Sequence, residues 1–239
     1  MALTPLLLAL AAAAGNLIGA MVLVRQSRRS LGWIDTSLAF GAGFMLATVL
    51  VGVLPEVFDQ ADGATPLFIL GGYLAVHLAH HVLTPHFHFG EETHHVSAAA
   101  GLSALLGLSV HSFFDGVAIA SGFLTSAHLG LLMFFAVLLH KLPEGVAIAS
   151  VVMVGGRPGR DAVLAGAALG GATVVGVLLT GIAEPLQTRG LALAAGVTLY
   201  VAASNLVPEF QHKRGWRSPL AFFGGAAALL LVHLMDVVP

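Results

Sequence analysis

The chain has 239 residues, of which 57% are apolar and only 9% are charged, whereas soluble domains carry about 25% charged residues. This composition excludes an ordinary soluble globular protein, and the net charge of −2 gives no sign of a nucleic-acid partner. The absence of cysteine excludes disulfides, thiolate metal sites and cysteine nucleophiles.

Apolar runs of roughly twenty residues follow one another along the chain, a pattern typical of an all-α polytopic membrane protein. Positive residues follow the first run and do not precede it, so we interpret it as a retained helix and not as a cleavable signal peptide. The connections are short, which predicts one transmembrane domain over 1–239. The eight predicted spans are 3–24, 36–57, 66–83, 97–123, 128–153, 162–187, 190–208 and 218–237.

The basic residues predict the orientation of these spans. Eight of the ten lysines and arginines fall in alternate loops, at Arg25, Arg28, Arg29, Arg157, Arg160, Lys213, Arg214 and Arg217. The loops on the opposite side hold only Arg189. We therefore expect a protein of the cell (inner) membrane with both termini outside and loop 84–97 in the cytoplasm.

The fourth and fifth predicted spans contain nearly the same motif, HSFFDGVAIAS at 111–121 and HKLPEGVAIAS at 140–150. Consecutive spans cross the bilayer in opposite directions, so equivalent residues are related by a twofold axis in the membrane plane, as in the inverted repeats of transporters. A weaker sequence similarity relates VLPE at 53–56 to LVPE at 206–209. These similarities predict a 3+2+3 inverted-repeat arrangement of the eight helices.

Each copy of the motif places a histidine and an acid four residues apart, on one face of a helix. These pairs are His111 with Asp115 and His140 with Glu144. A carboxylate at the centre of a bilayer costs about 2.5–3.5 kcal/mol, so each acid needs a cation or a proton beside it. Two imidazoles and two carboxylates together suit a divalent metal. The alternative is a set of hydrogen-bonded polar residues that hold the helices together.

At these residues the sequence resembles the ZIP family of divalent metal transporters, whose fourth and fifth helices carry H-[NS]-x-x-[DE]-G and [HQ]-x-x-P-E-G. It is most similar to the GufA-like prokaryotic branch. The resemblance implies that His111, Asp115, His140 and Glu144 are ligands of the principal transport site. It also suggests Met45 as a further ligand, although a methionine in an apolar helix is more often part of the core.

The resemblance further suggests Glu184, on the sixth predicted span, for an adjacent second metal site. The sequence departs from the two-metal pattern, because Lys141 stands where relatives with two metals have an oxygen ligand, and Ser112 stands in place of an amide. An ammonium repels a divalent ion, so we expect Lys141 to substitute for the second metal, within reach of Glu144 and of Glu184. The alternative is that Lys141 extends to the membrane surface.

Seven of the twelve histidines cluster at the end of the third predicted span and in the loop after it. This density predicts low-affinity sites that relay metal on the cytoplasmic side, unless the segment is merely a polar loop. The candidate relay residues are His77, His80, His81, His86, His88, His94 and His95.

These features favour transport of a divalent metal toward the cytoplasm, with zinc foremost and iron(II), manganese or cadmium as alternatives. The ion is then a transported substrate and not a cofactor, and the chain is not an enzyme. The expected partners are metal ions and the lipid bilayer, and we also consider a second copy of the chain in a homodimer. The rival function is an intramembrane zinc-dependent hydrolase, although the sequence has no HExxH motif.

Overall fold

The computed structural model describes residues 3–25, 32–79, 98–208 and 215–237, and in these residues it contains helices and short turns but no strand. The predicted all-α class is thereby confirmed. The helical elements are α1 (Leu3–Arg25), α2 (Gly32–Ala47), a first π-helical segment (Thr48–Val53), α3 (Leu54–Asp59), α4 (Thr65–Leu78), α5 (Ala98–Thr125), α6 (Ala127–Val154), α7 (Gly159–Thr180), α8 (Glu184–Leu199), a second π-helical segment (Tyr200–Leu206) and α9 (Arg217–Val237).

Six helical stretches of the described chain are long and apolar enough to cross a membrane, as an integral membrane protein requires. They lie in α1, in the continuous stretch from α2 to α3, and in α5, α6, α7 and α9. Helix α4 is apolar but has only 14 residues in its described part. The count of eight spans therefore stays a prediction.

The sixth and seventh helices meet at a different place from the one predicted. Helix α7 ends at Thr180, before the predicted 187, and α8 already begins at Glu184. Pro185 lies in the first turn of α8, where its missing N–H is not needed, whereas inside a continuing helix it would remove a hydrogen bond. Glu184 consequently belongs to the start of α8 and not to the sixth helix, and the predicted boundary was wrong.

Both π-helical segments come just before a proline. Pro55 follows the first segment by two residues, and Pro208 follows the second in the same way. A proline inside a helix cannot bond the carbonyl one turn earlier, and a wider turn accommodates that loss. The weak sequence similarity of VLPE and LVPE therefore corresponds to a shared local structure.

Glycines bring the helices around the duplicated motif into backbone contact. Helix α1 packs on α6, and α7 packs on α5. A methyl group on any of these glycines would overlap a carbonyl oxygen of the neighbouring helix, so only glycine permits the approach. The contacts, each glycine with the residue whose carbonyl it faces, are Gly19 with Leu142, Gly145 with Asn16, Gly176 with Phe113, and Gly116 with Thr173.

A second set of glycine contacts joins α2 to α9 and α4 to α8. Here too each glycine faces a carbonyl oxygen of the partner helix. The pairs are Gly43 with Phe222, Gly225 with Phe40, Gly196 with Ile69, and Gly72 with Leu193. Each glycine contact between α2 and α9 thus has a counterpart between α4 and α8. Equivalent residues of the two contacts are separated by the same number of positions along the chain.

Candidate metal centre

The four predicted ligands His111, Asp115, His140 and Glu144 meet where α5 crosses α6. Each offers one ligand atom, and these four atoms all lie within 4.8 Å of one another. The side chains are buried, with no residue of the four more than 5% exposed. The twofold pattern of the two motifs therefore brings the two histidines and two acids to one point.

Three of these ligand atoms form a nearly equilateral triangle. The Nε2 atoms of His111 and His140 are 3.3 Å apart, and Oδ2 of Asp115 lies 3.3 Å from the first and 3.4 Å from the second. Ligands in a tetrahedral zinc site lie about 2.0–2.2 Å from the ion, which places neighbouring ligand atoms about 3.3–3.5 Å from each other. The triangle has the dimensions of one face of such a site.

The hydrogen bonding of His140 fixes the proton on its imidazole ring. Its Nδ1 atom lies 2.9 Å from the carbonyl oxygen of Ala136, which can only accept, so Nδ1 carries the hydrogen. In the neutral ring Nε2 then presents a lone pair. Nε2 lies 3.4 Å from Oδ2 of Asp115, so a metal ion at the centre of the triangle would be bound by both atoms. Metal-bound histidines are commonly oriented by such a second hydrogen bond.

Lys141 is fully buried beside this triangle and bonds both acids. Its Nζ atom lies 2.7 Å from Oδ2 of Asp115 and 2.7 Å from Oε2 of Glu144. It also donates to the Ser112 hydroxyl at 2.9 Å, and that hydroxyl in turn donates to Oε1 of Glu144 at 2.7 Å. The lysine therefore points into the centre and not to the membrane surface.

Asn16 on α1 completes the surroundings of Glu144, and the sequence analysis missed it. Its side chain is fully buried against the Lys141 carbonyl and the Glu144 carboxylate, and with the amide nitrogen turned toward them it donates to both, at 3.2 Å to Oε2. The sequence did point to a special role for this residue, because Asn16 is the only amide or charged side chain between Leu3 and Val24.

The polar centre lies between two cavities. A small one of about 10 Å³ touches His111, His140 and Glu144 and is otherwise lined by Leu38, Leu108, Val201, Asn205 and Leu206. A larger cavity of about 450 Å³ lies between α3, the start of α6 and the end of α9, and its lining includes Glu56, Asp59, His128 and His233.

An apolar layer separates the larger cavity from the metal centre. Leu132 lines that cavity, and Ala136 lies one turn further along α6, next to His140. Both residues belong to a buried hydrophobic cluster that also contains Met45. Met45 is 1% exposed and thus lies in this apolar layer, and its role as a ligand stays a prediction.

The structure does not bring Glu184 to the centre. Its side chain is exposed in the first turn of α8, whereas the ion-pair partners of the fully buried Lys141 are Asp115 and Glu144. Nearby, Arg189 on α8 bonds Asp62 at 2.6 Å, and this hydrogen bond holds the pKa of the Asp62 carboxyl below its usual range. The acidic residue at 184 therefore lies among surface charges.

The histidines of the predicted relay fall mostly outside the described residues. His77 lies near the end of α4, where its ring contacts that of Tyr200 at a centroid distance of 5.6 Å. The others, His80, His81, His86, His88, His94 and His95, lie in the segment from 80 to 97, which is outside the described residues.

Comparison with known proteins places the two motifs in a known family. The family model of the ZIP zinc transporters matches residues 90–233, more than half of the chain. The human protein named zinc transporter ZIP4 is 32% identical over 141 residues, which cover 55% of this chain and 22% of the human protein. The rat and mouse proteins of the same name are each 31% identical over 141 residues. The chain spans less than a quarter of the length of these relatives.

Proposed function

The chain belongs to the ZIP zinc transporter family, and we propose from that premise that it carries a divalent metal ion across a lipid bilayer. The observation that carries the proposal is the buried triangle of two imidazole nitrogens and one carboxylate oxygen. These three atoms lie 3.3–3.4 Å from one another, so one ion at the centre of the triangle would have all three as ligands at a common distance.

Zinc is the ion that this donor set suits best. Imidazole and carboxylate ligands without thiolate are compatible with zinc, iron(II), manganese and cadmium. The 3.3–3.4 Å edges of the triangle match the spacing of ligand atoms around a tetrahedral zinc ion. Zinc, as a transported substrate, is therefore our first choice, and the name of the human relative, zinc transporter ZIP4, is consistent with it.

We assign one ion to the centre because Lys141 holds the place of a second. Its ammonium group lies 2.7 Å from an oxygen of each acid, where a second metal would need those same oxygens. Two carboxylates and one ammonium leave one net negative charge among these three groups. One divalent cation already exceeds this negative charge by one, and a second would add two more uncompensated positive charges to a buried site.

The matched glycine contacts support the 3+2+3 inverted arrangement. The interval from Gly19 to Gly176 is the same as that from Asn16 to Thr173, so the packing of α1 on α6 corresponds to that of α7 on α5. The interval from Gly43 to Gly196 likewise equals that from Gly72 to Gly225. We place α4 and α8, together with the π-helical segment after α8, as the two remaining spans.

The cavities suggest the path of the ion. In the predicted orientation the larger cavity opens to the outside, and its carboxylates and imidazoles attract cations. In the same predicted orientation the small cavity lies on the side of the centre that faces the cytoplasm, which is also the side for which we predict the histidine relay. We therefore propose transport toward the cytoplasm in the cell membrane, with the apolar layer around Leu132 as the closed outer barrier.

The lipid contacts are provided by apolar side chains that the fold leaves exposed. Helix α4 exposes Leu67, Leu70 and Leu74, and α9 exposes Leu220 and Phe223. Such faces suit lipid, and they are also where a second copy would pack in the homodimer considered from the sequence. The size of the particle in lipid nanodiscs distinguishes a monomer from a dimer.

Uptake of radioactive zinc into proteoliposomes tests the proposed function. We expect the wild-type chain to accumulate zinc and the Asp115→Asn variant to lose most of that uptake, because its carboxylate is the common neighbour of both histidines. Asp161→Asn is the matched control, since this acid pairs with Arg157 at the start of α7, away from the centre. Equal uptake by wild type and Asp115→Asn would contradict the proposal.

A further inference from the structure

A third cavity, of about 440 Å³, lies between α2, α6 and the start of α9, and none of the four predicted metal ligands lines it. Its volume falls in the range of about 300–1,000 Å³ that is typical of small-molecule sites. Most of its wall is apolar, and α2 adds the hydroxyl groups of Thr36 and Ser37. The proposed ion path leaves this cavity without a role.

The cavity lies at the end of the bundle where α2 and α9 begin. Trp33, in the first turn of α2, and Ala221, one turn into α9, both line it. Val51 and His233, much later in the same two helical stretches, both line the larger cavity near α3. Helices α2 and α9 therefore run in the same direction and begin at the same end. In the predicted orientation that end faces the cytoplasm.

The side chains at this end suit the boundary between lipid and water. Both tryptophans of the chain lie at the starts of these helices, where Trp33 is 46% and Trp216 is 78% exposed, and tryptophan is enriched at membrane surfaces. Arg217 is exposed in the first turn of α9. It precedes Ala221 by four residues and so lies on the face of α9 that lines the cavity.

We propose that the cavity binds an acyl chain of one anionic phospholipid of the cytoplasmic leaflet, with the lipid phosphate at Arg217. Basic pockets between helices on the cytoplasmic side suit anionic headgroups. The exposed Arg25 ends α1 shortly before α2 begins, so Arg25 and Arg217 outnumber Asp35, the acid in the first turn of α2. The inference goes beyond the proposed function and uses only its predicted orientation.

A lipid in this cavity would contact the helix that carries two of the metal ligands. Leu139, Leu142 and Pro143 of α6 form part of the cavity wall, next to His140 and Glu144 in the sequence. Pro143 cannot bond the carbonyl of Leu139 one turn earlier, so α6 is weakened here. An acyl chain packed against this turn would support it, and we therefore expect the lipid to affect transport.

Quenching of tryptophan fluorescence by brominated lipid measures binding next to Trp33. The full-length chain carries Trp216→Phe, so that Trp33 is its only tryptophan, and is reconstituted without zinc into phosphatidylcholine bilayers. We expect half-maximal quenching at about a fivefold lower mole fraction of brominated phosphatidylglycerol than of brominated phosphatidylcholine, the effect of about one basic residue on an anionic lipid. Equal midpoints for the two lipids would contradict the inference.

A matched pair of substitutions on α9 tests the cavity itself. Ala221→Phe fills it and should abolish the preference for phosphatidylglycerol. Ala227→Phe makes the same change at an exposed position of the same helix and should leave the preference intact. If Ala221→Phe retains the preference, or if Ala227→Phe loses it equally, the cavity is not the lipid site.

A second pair tests the headgroup contact. Arg217→Gln should remove the fivefold preference, because it removes the cation at the cavity. Arg160→Gln is the control, since this side chain is 85% exposed at the start of α7 and does not line the cavity. It should change the preference less than about twofold. Equal effects of the two substitutions would show a general surface charge and would overturn the specific site.

Zinc uptake into proteoliposomes with and without phosphatidylglycerol tests the link to α6. Anionic lipid raises the zinc concentration at the membrane surface for every variant, so the comparison between variants isolates the site. We expect wild type and Ala227→Phe to show the same stimulation by phosphatidylglycerol, and Ala221→Phe to show clearly less. Equal stimulation of all three would contradict the link. Lipid preference without zinc uptake by the wild type would instead contradict the proposed function and leave the lipid site supported.

Discussion

Asp115 and Glu144 occupy equivalent places in the two copies of the motif, yet their surroundings differ. Asp115 lies beside two imidazoles and the lysine, whereas Glu144 receives hydrogen bonds from Ser112, Lys141 and Asn16. The backbone around them is alike, since Gly116 and Gly145 each face a carbonyl oxygen of a neighbouring helix. The two copies of the motif thus share their backbone packing but differ in the polar contacts of their acids.

The polar contacts also differ on the neighbouring helices, between Asn16 on α1 and Thr173 on α7. Asn16 on α1 and Thr173 on α7 have equivalent contacts with the glycines of the motif, and both side chains are fully buried. Asn16 bonds the centre, but the Thr173 hydroxyl donates to the carbonyl of Leu169 in its own helix, at 3.4 Å. The donors are thus concentrated around Glu144.

The largest expected effect on stability is at Lys141, whose equivalent position in the other copy of the motif is Ser112. Lys141→Met leaves two buried carboxylates without their cation and should lower the free energy of unfolding by about 3–5 kcal/mol in metal-free protein. Ser112→Ala removes hydrogen bonds alone and should cost about 1–2 kcal/mol. Unfolding in a denaturing detergent measures both free energies. Equal losses for the two variants would contradict the view that Lys141 stabilises the centre by its charge and Ser112 by hydrogen bonds alone.

The backbone comparison predicts equal effects at the two motif glycines. Gly116→Ala and Gly145→Ala each place a methyl group against a carbonyl oxygen of the neighbouring helix, which should cost about 1–3 kcal/mol. Gly171→Ala is the control, because a methyl group there meets no atom within 4 Å. A loss at one motif glycine and none at the other would contradict the shared packing.

A smaller difference is expected between Asn16 and Thr173. Asn16→Ala should weaken zinc binding about tenfold, because it removes a hydrogen bond to Glu144 beside the metal centre. Thr173→Ala should leave the affinity within about twofold, because its hydroxyl bonds only its own helix turn. Calorimetric titration of both variants is the measurement. Similar losses would mean that packing, and not hydrogen bonding to Glu144, determines the effect.

The exposed ion pair of Asp62 and Arg189 should have the smallest effect. Because Arg189 lowers the pKa of Asp62 in the folded chain, the pair contributes stability above the ordinary pKa of an aspartate and loses it as the pH falls through the lowered value. Solvent screens such pairs, so Asp62→Asn should leave the unfolding transition at neutral pH nearly unchanged. If Asp62→Asn lowered the free energy of unfolding as much as Lys141→Met, the expected difference in stability between an exposed and a buried ion pair would be contradicted.

The sequence was sufficient to predict the all-helical class and the convergence of His111, Asp115, His140 and Glu144. The spacing of four residues puts each histidine and acid on one helix face, and the repeated motif places the two faces on consecutive helices. The sequence was not sufficient for Asn16, whose contact with Glu144 depends on how closely α1 packs on α6. Glu184 was placed in the wrong helix because its neighbours are apolar and the effect of Pro185 on the helix boundary was missed. The π-helical segments were also missed, since composition does not show the local widening of a helix.

In the proposed function, one divalent ion binds among His111, Asp115 and His140. Anomalous diffraction at the zinc absorption edge, from crystals of the full-length chain grown with zinc, measures the position and number of bound ions directly. We expect a single strong peak at the triangle, about 2.0–2.2 Å from Nε2 of each histidine and Oδ2 of Asp115. No peak there, or a second ion in the position of the Lys141 ammonium group, would contradict it.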